Sequence, residues 1–280
     1  MVNSPKNNSV LIVILNYMTY SMTLKLIEAI KSTLDYPHFE ILVVDNDSPN
    51  ESGPILYQHK MALGFELIIS KINGGYAAGN NIGIRYAIQK GYEYTWILNN
   101  DIRLKSSTLL KAMVAAMEEN PSIAVVSPQI YFPDGAECYQ HYFRPTLWDM
   151  SFGIARSKTR RKAMDNSRSQ GIYRPQGCCM LLRNESMQAI DCMDERTFLY
   201  GEEEILAERL LKRDMYCWYC ANEAVIHMES TTVNSVQNKK NKIKRVLASQ
   251  ELYLKYYRNF SKPARILCKM ARGTVILIRN

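Results

Sequence analysis

The sequence predicts an α/β fold in which a mostly parallel central sheet carries helices on both faces. First, five apolar segments alternate with segments of helical periodicity over residues 9–127, which is typical of β-α-β units, and the first of them, 9–15, is rich in Val and Ile. Second, several of these segments are apolar at consecutive positions, as in strands covered on both faces. Third, 47% of the 280 residues are hydrophobic and 22% are charged, which fits a globular protein and excludes a mainly disordered one.

The predicted elements follow in order. Strands are expected at 9–15, 39–44, 65–70, 94–98, 123–127, 177–182 and 224–227. Thr19 or Ser21 caps a helix that runs to Leu34, because apolar residues recur there every three or four positions. Further helices are expected at 76–89, 106–119 and 202–212. The last of these opens with three glutamates, which suit the positive end of a helix dipole.

The net charge of +8 is unevenly distributed. Residues 239–280 contain 12 basic residues and one acid, Glu251, and residues 156–170 carry six basic residues and Asp165. The rest of the chain is therefore acidic. The basic 156–170 stretch lacks apolar periodicity and is expected to be a mobile loop. No apolar run is long enough to cross a bilayer or act as a signal peptide, so a cytoplasmic protein is expected.

Polar residues follow four of the predicted strands. Ligands bind at the carboxyl ends of parallel strands, so these residues are candidate ligand-binding residues: Asn16-Tyr17, Asp45-Asn46-Asp47, Asn73-Gly74-Gly75 and Asn99-Asn100-Asp101. Asp101 suits a hard divalent cation that bridges a diphosphate, although a turn aspartate is an equal alternative. The glycines after Asn73 allow a phosphate or ribose close to the backbone, or simply form a tight turn.

Two features in the second half of the chain also suit catalysis. Glu202, Glu203 and Glu204 follow an aromatic segment, and their proximity raises the pKa of one carboxyl towards that of a general base. A solvated helix start is the alternative. His227 ends a predicted strand and is a candidate metal or phosphate ligand, although a single histidine is more often structural.

Taken together, these motifs resemble family 2 glycosyltransferases, above all the bacterial rhamnosyl- and galactosyltransferase-like enzymes of surface polysaccharide synthesis. The resemblance covers about residues 9–235 and depends on the order of its motifs: Asn16-Tyr17, Val43-Val44-Asp45-Asn46, Asn73-x-Gly75, Gly79-Asn80-Asn81-Ile82-Gly83, Leu98-Asn99-Asn100-Asp101, Gly177-x-x-x-Leu181, Phe198-Leu199-Tyr200-Gly201-Glu202-Glu203 and Val225-Ile226-His227. It implies a GT-A catalytic domain over 1–235, with a nucleotide-sugar half at 1–127 and an acceptor half at 128–235.

The resemblance also assigns roles to residues. It places a nucleotide-diphosphate sugar, UDP- or dTDP-linked, against Asn16, Tyr17, Asp45, Asn46, Asp47, Asn73, Gly74, Gly75, Asn80, Asn99 and Asn100. Mg²⁺ or Mn²⁺ would be held by Asp101 and His227. Gln176 and Gly177 would line the donor–acceptor site, and Glu203, with Glu202 ranked second, would be the base. Asn99 stands where the family's D-x-D motif begins with Asp, which shifts metal binding towards Asp101 and the diphosphate.

The predicted activity is an inverting, metal-dependent transfer of a sugar to a hydroxyl of a glycolipid or oligosaccharide acceptor. A carboxylate takes the acceptor proton while the cation neutralises the leaving diphosphate, so a covalent enzyme nucleophile is not required. The alternative is a non-catalytic nucleotide-sugar-binding subunit that partners an active transferase. A nucleotidyltransferase is disfavoured because no Gly-rich basic phosphate-binding motif lies near the first strand. A homodimer is left open.

Residues 236–280 are predicted to form a basic amphipathic helical tail. On a helix that starts at Lys262, the basic side chains Arg265, Lys269 and Arg272 fall on one side and most apolar ones on another. Such a helix lies on an anionic membrane surface, here the inner face of the cell membrane. Alternatively its apolar face packs on the catalytic domain. No nucleic-acid-binding motif accompanies the tail.

Overall fold

The computed structural model describes residues 6–138, 141–152, 165–228 and 239–278. Its strands are β1 (Lys6–Asn16), β2 (Phe39–Asp45), β3 (Glu66–Ile69), β4 (Tyr92–Asn99), β5 (Ile102–Leu104), β6 (Ile123–Tyr131), β7 (Gln170–Ile172), β8 (Cys179–Arg183) and β9 (Tyr216–His227). Its helices are α1 (Tyr20–Thr33), α2 (Ser52–Leu63), α3 (Gly75–Lys90), α4 (Leu109–Glu119), α5 (Leu147–Phe152), α6 (Asn184–Ala189), α7 (Glu202–Leu211), α8 (Lys239–Leu252) and α9 (Lys262–Ile278), with a π-helical turn at Tyr253–Tyr257 between the last two.

These strands form one sheet in the order β3-β2-β1-β4-β8-β6-β9-β5, and β7 pairs with β9. β1 to β4 run parallel, as do β6 and β9, whereas β8 is antiparallel to both of its neighbours. The carboxyl ends of β1, β2 and β4 therefore meet at one edge of the sheet. The mixed α/β fold with a mostly parallel sheet confirms the predicted fold class.

Helices cover both faces of the sheet because alternate residues of the central strands are apolar on both sides. In β1, Ile12 and Ile14 pack with Ile27 of α1. Leu11 and Val13, which point to the opposite face, belong to a cluster with Ala87 of α3. This double burial explains the unbroken apolar run of β1, since a strand with one solvated face would alternate apolar and polar residues.

Several element boundaries differ from the sequence-based expectation. The strand expected at 224–227 is the end of the twelve-residue β9, and the helix expected from 106 begins at Leu109. The sequence analysis missed β5, β7, α2, α5 and α6. α2 buries little beyond Ser52, Gly53 and Leu56, so it lacks the apolar periodicity by which a helix is predicted. The short elements are stabilised by partners distant in sequence.

The C-terminal helices pack on the domain next to α7. Ile205 of α7 is buried with Tyr253, Leu254 and Cys268, which come from the π-helical turn and α9. Beside this cluster lies the buried carboxylate of Glu208, whose contacts link three segments of the chain. Of the predicted basic loop, residues 156–164 lie outside the described residues, as do residues 236–238 of the predicted tail.

A single buried carboxylate joins α7 to the tail. Glu208 Oε1 accepts hydrogen bonds from Arg144 Nε at 2.7 Å, from the Tyr173 hydroxyl at 2.8 Å and from the Tyr253 hydroxyl at 3.3 Å. Arg258 Nε, just after the π-helical turn, lies 3.8 Å from the same oxygen. Because the Glu208 side chain is 2% exposed, its charge depends on these partners, and their loss would leave a buried charge uncompensated.

Candidate active site

Asp101 and His227 lie side by side at the carboxyl-end edge of the sheet. Asp101 lies between β4 and β5, and β5 runs antiparallel to the end of β9, so that Ile102 pairs with His227. The main-chain carbonyl of Asp101 accepts the amide of Met228 at 2.9 Å, which joins the two segments. As a result His227 Nε2 is 3.2 Å from Asp101 Oδ2.

The free atoms of this pair suit a divalent cation. Asp101 is 3% exposed, and its two carboxylate oxygens and His227 Nε2 have no hydrogen-bond partner in the described part of the chain. Neighbouring ligands of a metal with bonds of about 2.1 Å lie about 3 Å apart, close to the spacing of this pair. Residues 6–138, 141–152, 165–228 and 239–278 contain no group of three or more His, Cys, Asp or Glu side chains placed for a metal. A bound cation would therefore need further ligands from substrate or water.

The two asparagines before Asp101 have different surroundings. Asn99 is half-buried, and its main-chain amide donates to the carbonyl of Cys178 at 2.9 Å. The side-chain amide of Asn100 donates to the hydroxyls of two threonines at the start of α1, at 2.8 and 2.9 Å. Both N–H groups of the Asn100 side chain are engaged in these bonds, so Asn100 fixes the turn after β4. Its predicted contact with the sugar donor gains no support from this geometry.

A buried hydrogen-bond network lies at the carboxyl ends of β1 and β2. Asn16 donates to Asp45 Oδ1 at 2.6 Å and accepts the Thr23 hydroxyl at 2.8 Å. The Ser48 hydroxyl donates to the same Asp45 oxygen at 2.6 Å. Asn16 has no exposed surface and Asp45 is 1% exposed. In this structure the Asn16 side chain is engaged by Asp45 and Thr23, and its contact with the donor stays a prediction. Asn16 orients Asp45. Because Asp45 is only 1% exposed, little of its surface is open to a ligand.

The turn before α3 is tied to β2. The side-chain amide of Asn46 donates to Asn73 Oδ1 at 3.0 Å and to the carbonyl of Gly75 at 3.1 Å. Asn80, on the first turns of α3, is completely buried and donates to the carbonyl of Tyr76 at 3.0 Å. The predicted contact of Asn80 with the donor likewise stays a prediction. The predicted donor residues that keep more exposed surface are Tyr17, Asp47, Asn73, Gly74, Asn99 and Asn100.

Gly75 connects this turn to the segment before α7. It has φ +85°, and a Cβ at this position would overlap the carbonyl of Phe198. That carbonyl accepts the main-chain amide of Tyr76 at 2.9 Å. The glycine predicted to approach a phosphate therefore approaches another backbone segment, which brings the start of α3 against the chain that leads into the acidic helix.

The three glutamates of α7 have three different environments. Glu203 Oε1 accepts the main-chain amide of Gly177 at 3.1 Å and faces a cavity. Glu204 Oε1 lies 2.8 Å from Arg174 Nε, so its charge is paired. Glu202 is 4% exposed, and its Oε1 has no hydrogen-bond partner within the described ranges.

The pKa values of these carboxyls separate their chemical roles. Burial, together with the Glu203 carboxylate, raises the pKa of Glu202 to about 8. The raised pKa favours the protonated form of Glu202, which makes it a poorer acceptor for the substrate proton. Burial also raises the pKa of Glu203, but the Arg174 guanidinium and the Gly177 amide oppose that rise. All three glutamates line the cavity, but Glu204 is paired with Arg174, so Glu203, with its raised pKa and its oxygen held by the Gly177 amide, best meets the needs of a general base.

The cavity beside Glu203 has a volume of about 630 Å³. Gln176 and Gly177 line it on one side, as do all three glutamates. Other lining residues come from α5 and the C-terminal segment: Asp149, Met150, Val246, Ser249, Gln250, Tyr253 and Arg272. A cavity of this size accommodates a sugar-sized ligand, and the C-terminal segment is part of it.

The segment Gly177–Cys178 links the base to the metal-ligand pair. Gly177 binds Glu203 through its amide, and the next carbonyl, that of Cys178, accepts the amide of Asn99, two residues before Asp101. The hydroxyl of Tyr76 donates to the carbonyl of Gly177 and fixes the segment from the side of α3. The predicted base and the predicted cation ligands are thereby held on one short piece of backbone.

The sequence analysis missed two residues of this site. Arg174 pairs with Glu204 and also bonds to His141 Nε2 at 2.8 Å. The second is Tyr76, which fixes Gly177. Arg174 stands two residues before the predicted Gln176, and Tyr76 directly follows the predicted Gly75. Their positions were thus close to assigned motifs, but their partners lie about 30 and 100 residues away.

Comparison with known proteins identifies related sequences. The family model described as glycosyl transferase family 2 matches residues 9–191. Galactofuranosyltransferase GlfT1 of Mycolicibacterium smegmatis is 24% identical over 191 residues, 67% of this chain and 60% of the relative. The low-salt glycan biosynthesis hexosyltransferase Agl10 of Haloferax volcanii is 22% identical over 231 residues, 82% of this chain and 69% of the relative. The chain thus spans about 60% of the length of the first of these relatives.

A solved structure shares the fold. The mannosyltransferase PcManGT from Pyrobaculum calidifontis, determined in complex with GDP-Man and Mn²⁺, superposes with a TM-score of 0.64 and 15% identity. The superposition covers 98% of this chain and 72% of that structure. At this level of identity, the similarity establishes a shared GT-A architecture.

Proposed function

The chain belongs to glycosyl transferase family 2, and we propose that it moves a sugar from a nucleotide-diphosphate donor to an acceptor hydroxyl with inversion at the anomeric carbon. The observation that carries this proposal is the connection through Gly177–Cys178. It holds the carboxylate of Glu203 on one side and the turn of Asp101 on the other. A base and a site for a leaving diphosphate, held in fixed relation, are what a single in-line displacement needs.

Glu203 and its neighbours have different proposed roles. Glu203 accepts the proton of the acceptor hydroxyl as that oxygen attacks the anomeric carbon. The Gly177 amide holds Glu203 Oε1 in place, and Arg174 balances the negative charge of Glu204 beside it. The raised pKa of Glu202 favours its protonated form, which adds no further charge to the site.

The donor end depends on the Asp101–His227 pair. A Mg²⁺ or Mn²⁺ ion held by these two side chains would neutralise the charge that develops on the departing diphosphate. The unpartnered oxygens of Asp101 and its 3.2 Å distance from His227 support this role. The exposed edge formed by Tyr17, Asp47 and Asn73 is proposed to receive the nucleoside.

The proposed acceptor is a lipid-linked saccharide of cell-surface polysaccharide synthesis, met at the inner face of the cell membrane. Relatives are named for related tasks: minor teichoic acid biosynthesis in Bacillus subtilis and O-antigen biosynthesis in Myxococcus xanthus. The acceptor side of the cavity, walled partly by apolar side chains such as Phe143, Pro145 and Val246, is consistent with such a molecule.

The test is a thermal-shift screen of UDP-, dTDP- and GDP-sugars, each with Mn²⁺, Mg²⁺ or a chelator. A ligand that binds the folded state raises its unfolding temperature. The proposal predicts stabilisation by one nucleotide class that a chelator reduces, followed by transfer to a saccharide acceptor with the opposite anomeric configuration in the NMR spectrum. Donor binding without turnover by any glycolipid acceptor would instead identify a non-catalytic nucleotide-sugar-binding subunit.

A further inference from the structure

The outward sides of α5 and α9 together present an apolar surface. On α5, Trp148 is 65% and Phe152 47% exposed, and their rings stack with centroids 5.4 Å apart. On α9, Ile266, Leu267 and Met270 are 49%, 66% and 65% exposed. The two helices pack against each other. We call these five side chains the outer α5–α9 face.

The inner sides of the same two helices border the acceptor cavity. The side-chain amide of Gln250 donates to the carbonyl of Met150 at 3.1 Å and to Cys268 Sγ at 3.3 Å, which marks the inner side of both helices. Met150 and Arg272 themselves line the cavity. Each helix therefore faces the cavity on one side and carries the exposed apolar residues on the other.

The orientation of α9 favours the first of the two alternatives predicted for the tail, because its large apolar side chains Ile266, Leu267 and Met270 are exposed. Of the basic side chains, Arg265 turns inward and pairs with Glu251 at 2.9 Å, and Arg272 is half-buried at the cavity. Lys262 and Lys269 are exposed and flank the apolar residues. The large apolar side chains Ile266, Leu267 and Met270 are exposed, so this part of α9 does not pack on the catalytic domain.

Lipid is the occupant that this chemistry favours. Exposed Trp, Leu and Met side chains beside lysines match a helix that lies in the headgroup region of an anionic bilayer. In a symmetric dimer through the same face, the lysines would approach their own copies and repel. In the described ranges no helix is long and apolar enough to cross a membrane, so insertion would be shallow.

We infer that the outer α5–α9 face docks on an anionic lipid surface and thereby places the mouth of the Glu203 cavity at headgroup level. The inference builds on the proposed function, since it explains how a lipid-linked saccharide reaches the base. The lipid part of the acceptor stays in the bilayer while the sugar hydroxyl enters the cavity that α5 and α9 border. Trp148 and Phe152 add a second helix to a surface that the sequence assigned to the tail alone.

The test measures sedimentation of the full chain with vesicles of phosphatidylcholine, with and without phosphatidylglycerol. Wild type is expected to bind the anionic vesicles and to be released as salt screens the lysines. A Leu267→Glu/Met270→Glu double variant should bind at least about tenfold more weakly, since two apolar side chains no longer enter the lipid. A Trp148→Ser variant should also lose affinity. Met61→Glu, at an 83% exposed methionine on α2, is the matched control and should bind like wild type.

The outcomes separate docking from catalysis. Donor binding and the unfolding temperature of the double variant should stay at wild-type values, because its two positions are exposed and lie outside the cavity. Unchanged vesicle binding in that variant would overturn the inference. So would sedimentation velocity in which wild type is a dimer and the double variant a monomer, because the face would then be an interface between copies of the chain. Failure of vesicle binding alongside normal sugar transfer would refute docking alone. Normal vesicle binding without any transfer would refute the proposed function alone.

Discussion

The main-chain amide of Gly177 donates a 3.1 Å hydrogen bond to Oε1 of Glu203, across 26 residues of sequence. A Cβ at position 177 would lie 2.5 Å from the same oxygen. Glycine is thus required here because the carboxylate occupies the space that any side chain would take. The position of the base depends on a residue that has no side chain of its own.

Gly177→Ala should lower catalysis more than stability. The new methyl group pushes the Glu203 carboxylate away from its amide donor, and displacement of a catalytic group by about 1 Å costs about 100-fold in rate. We expect kcat to fall by about that factor while the affinity for donor is retained. Gly273→Ala, where an added Cβ meets nothing within 4 Å, is the control. Equal kcat in the two variants would show that Gly177 does not position the base.

Glu202 makes the stability of the protein dependent on pH. Its pKa is about 8 in the folded protein against a usual value of 4.5, so the folded state retains a proton that the unfolded chain releases between these values. Stability should therefore decrease as the pH rises from about 4.5 to about 8. Glu202→Gln removes this effect. Urea unfolding at pH 8 should show the variant to be more stable by on the order of a few kcal/mol, with the difference vanishing near pH 4.

The control for this experiment is Glu185→Gln, a first-turn carboxylate of α6. A stability difference between wild type and Glu202→Gln that does not change with pH would contradict the assignment of the raised pKa.

The Asp101–His227 pair should govern the metal dependence of donor binding. Asp101→Asn replaces one carboxylate oxygen by an amide and removes its charge, which weakens a bound divalent cation. We expect Mn²⁺ to raise the unfolding temperature of wild type in the presence of the matching nucleotide diphosphate, but not that of Asp101→Asn or His227→Ala. Asp134→Asn, on an exposed turn, serves as the control. A wild-type Mn²⁺ response in both variants would refute this metal site.

The Glu208 network should account for much of the attachment of the C-terminal helices. Glu208→Ala leaves the guanidinium of Arg258, whose side chain is 11% exposed, without its carboxylate partner. Breaking a buried pair in this way costs about 3–5 kcal/mol. Glu195→Ala removes a carboxylate paired with Arg85, and both of these side chains are more than 40% exposed, so it should cost at most about 1 kcal/mol. Equal decreases in the free energy of unfolding for Glu208→Ala and Glu195→Ala, measured by denaturant unfolding, would contradict the larger effect expected for the buried pair.

The sequence predicted the central strands because their apolar residues are contiguous. β1 and β2 are buried on both faces, so their pattern alone identifies them. Asp101 was predicted because it follows such a strand directly. α5 escaped prediction because six residues with two exposed aromatics show no helical periodicity, and it is held by packing on α9, which lies more than 100 residues later.

The contacts within the site were less accessible from the sequence. Asn16 was assigned to the donor as a polar residue after a strand and Asn80 through the family resemblance, whereas in the structure their side chains bond to the Asp45 carboxylate and the Tyr76 carbonyl. Whether an amide faces a ligand or a neighbouring strand depends on packing among distant segments. The resemblance ranked Glu203 ahead of Glu202, but the contacts that distinguish the glutamates, Gly177 with Glu203 and Arg174 with Glu204, are not revealed by local sequence.

The transfer rate of Glu203→Gln tests the central claim most directly. The substitution keeps the shape of the side chain and removes its capacity to accept a proton, and general-base catalysis contributes about 10²–10⁴-fold. With the donor identified by thermal shift and present at saturation, we predict that the release of nucleotide diphosphate coupled to transfer falls by about that factor, while Glu204→Gln retains more activity. Transfer by Glu203→Gln at the wild-type rate, with donor bound equally well, would contradict the account.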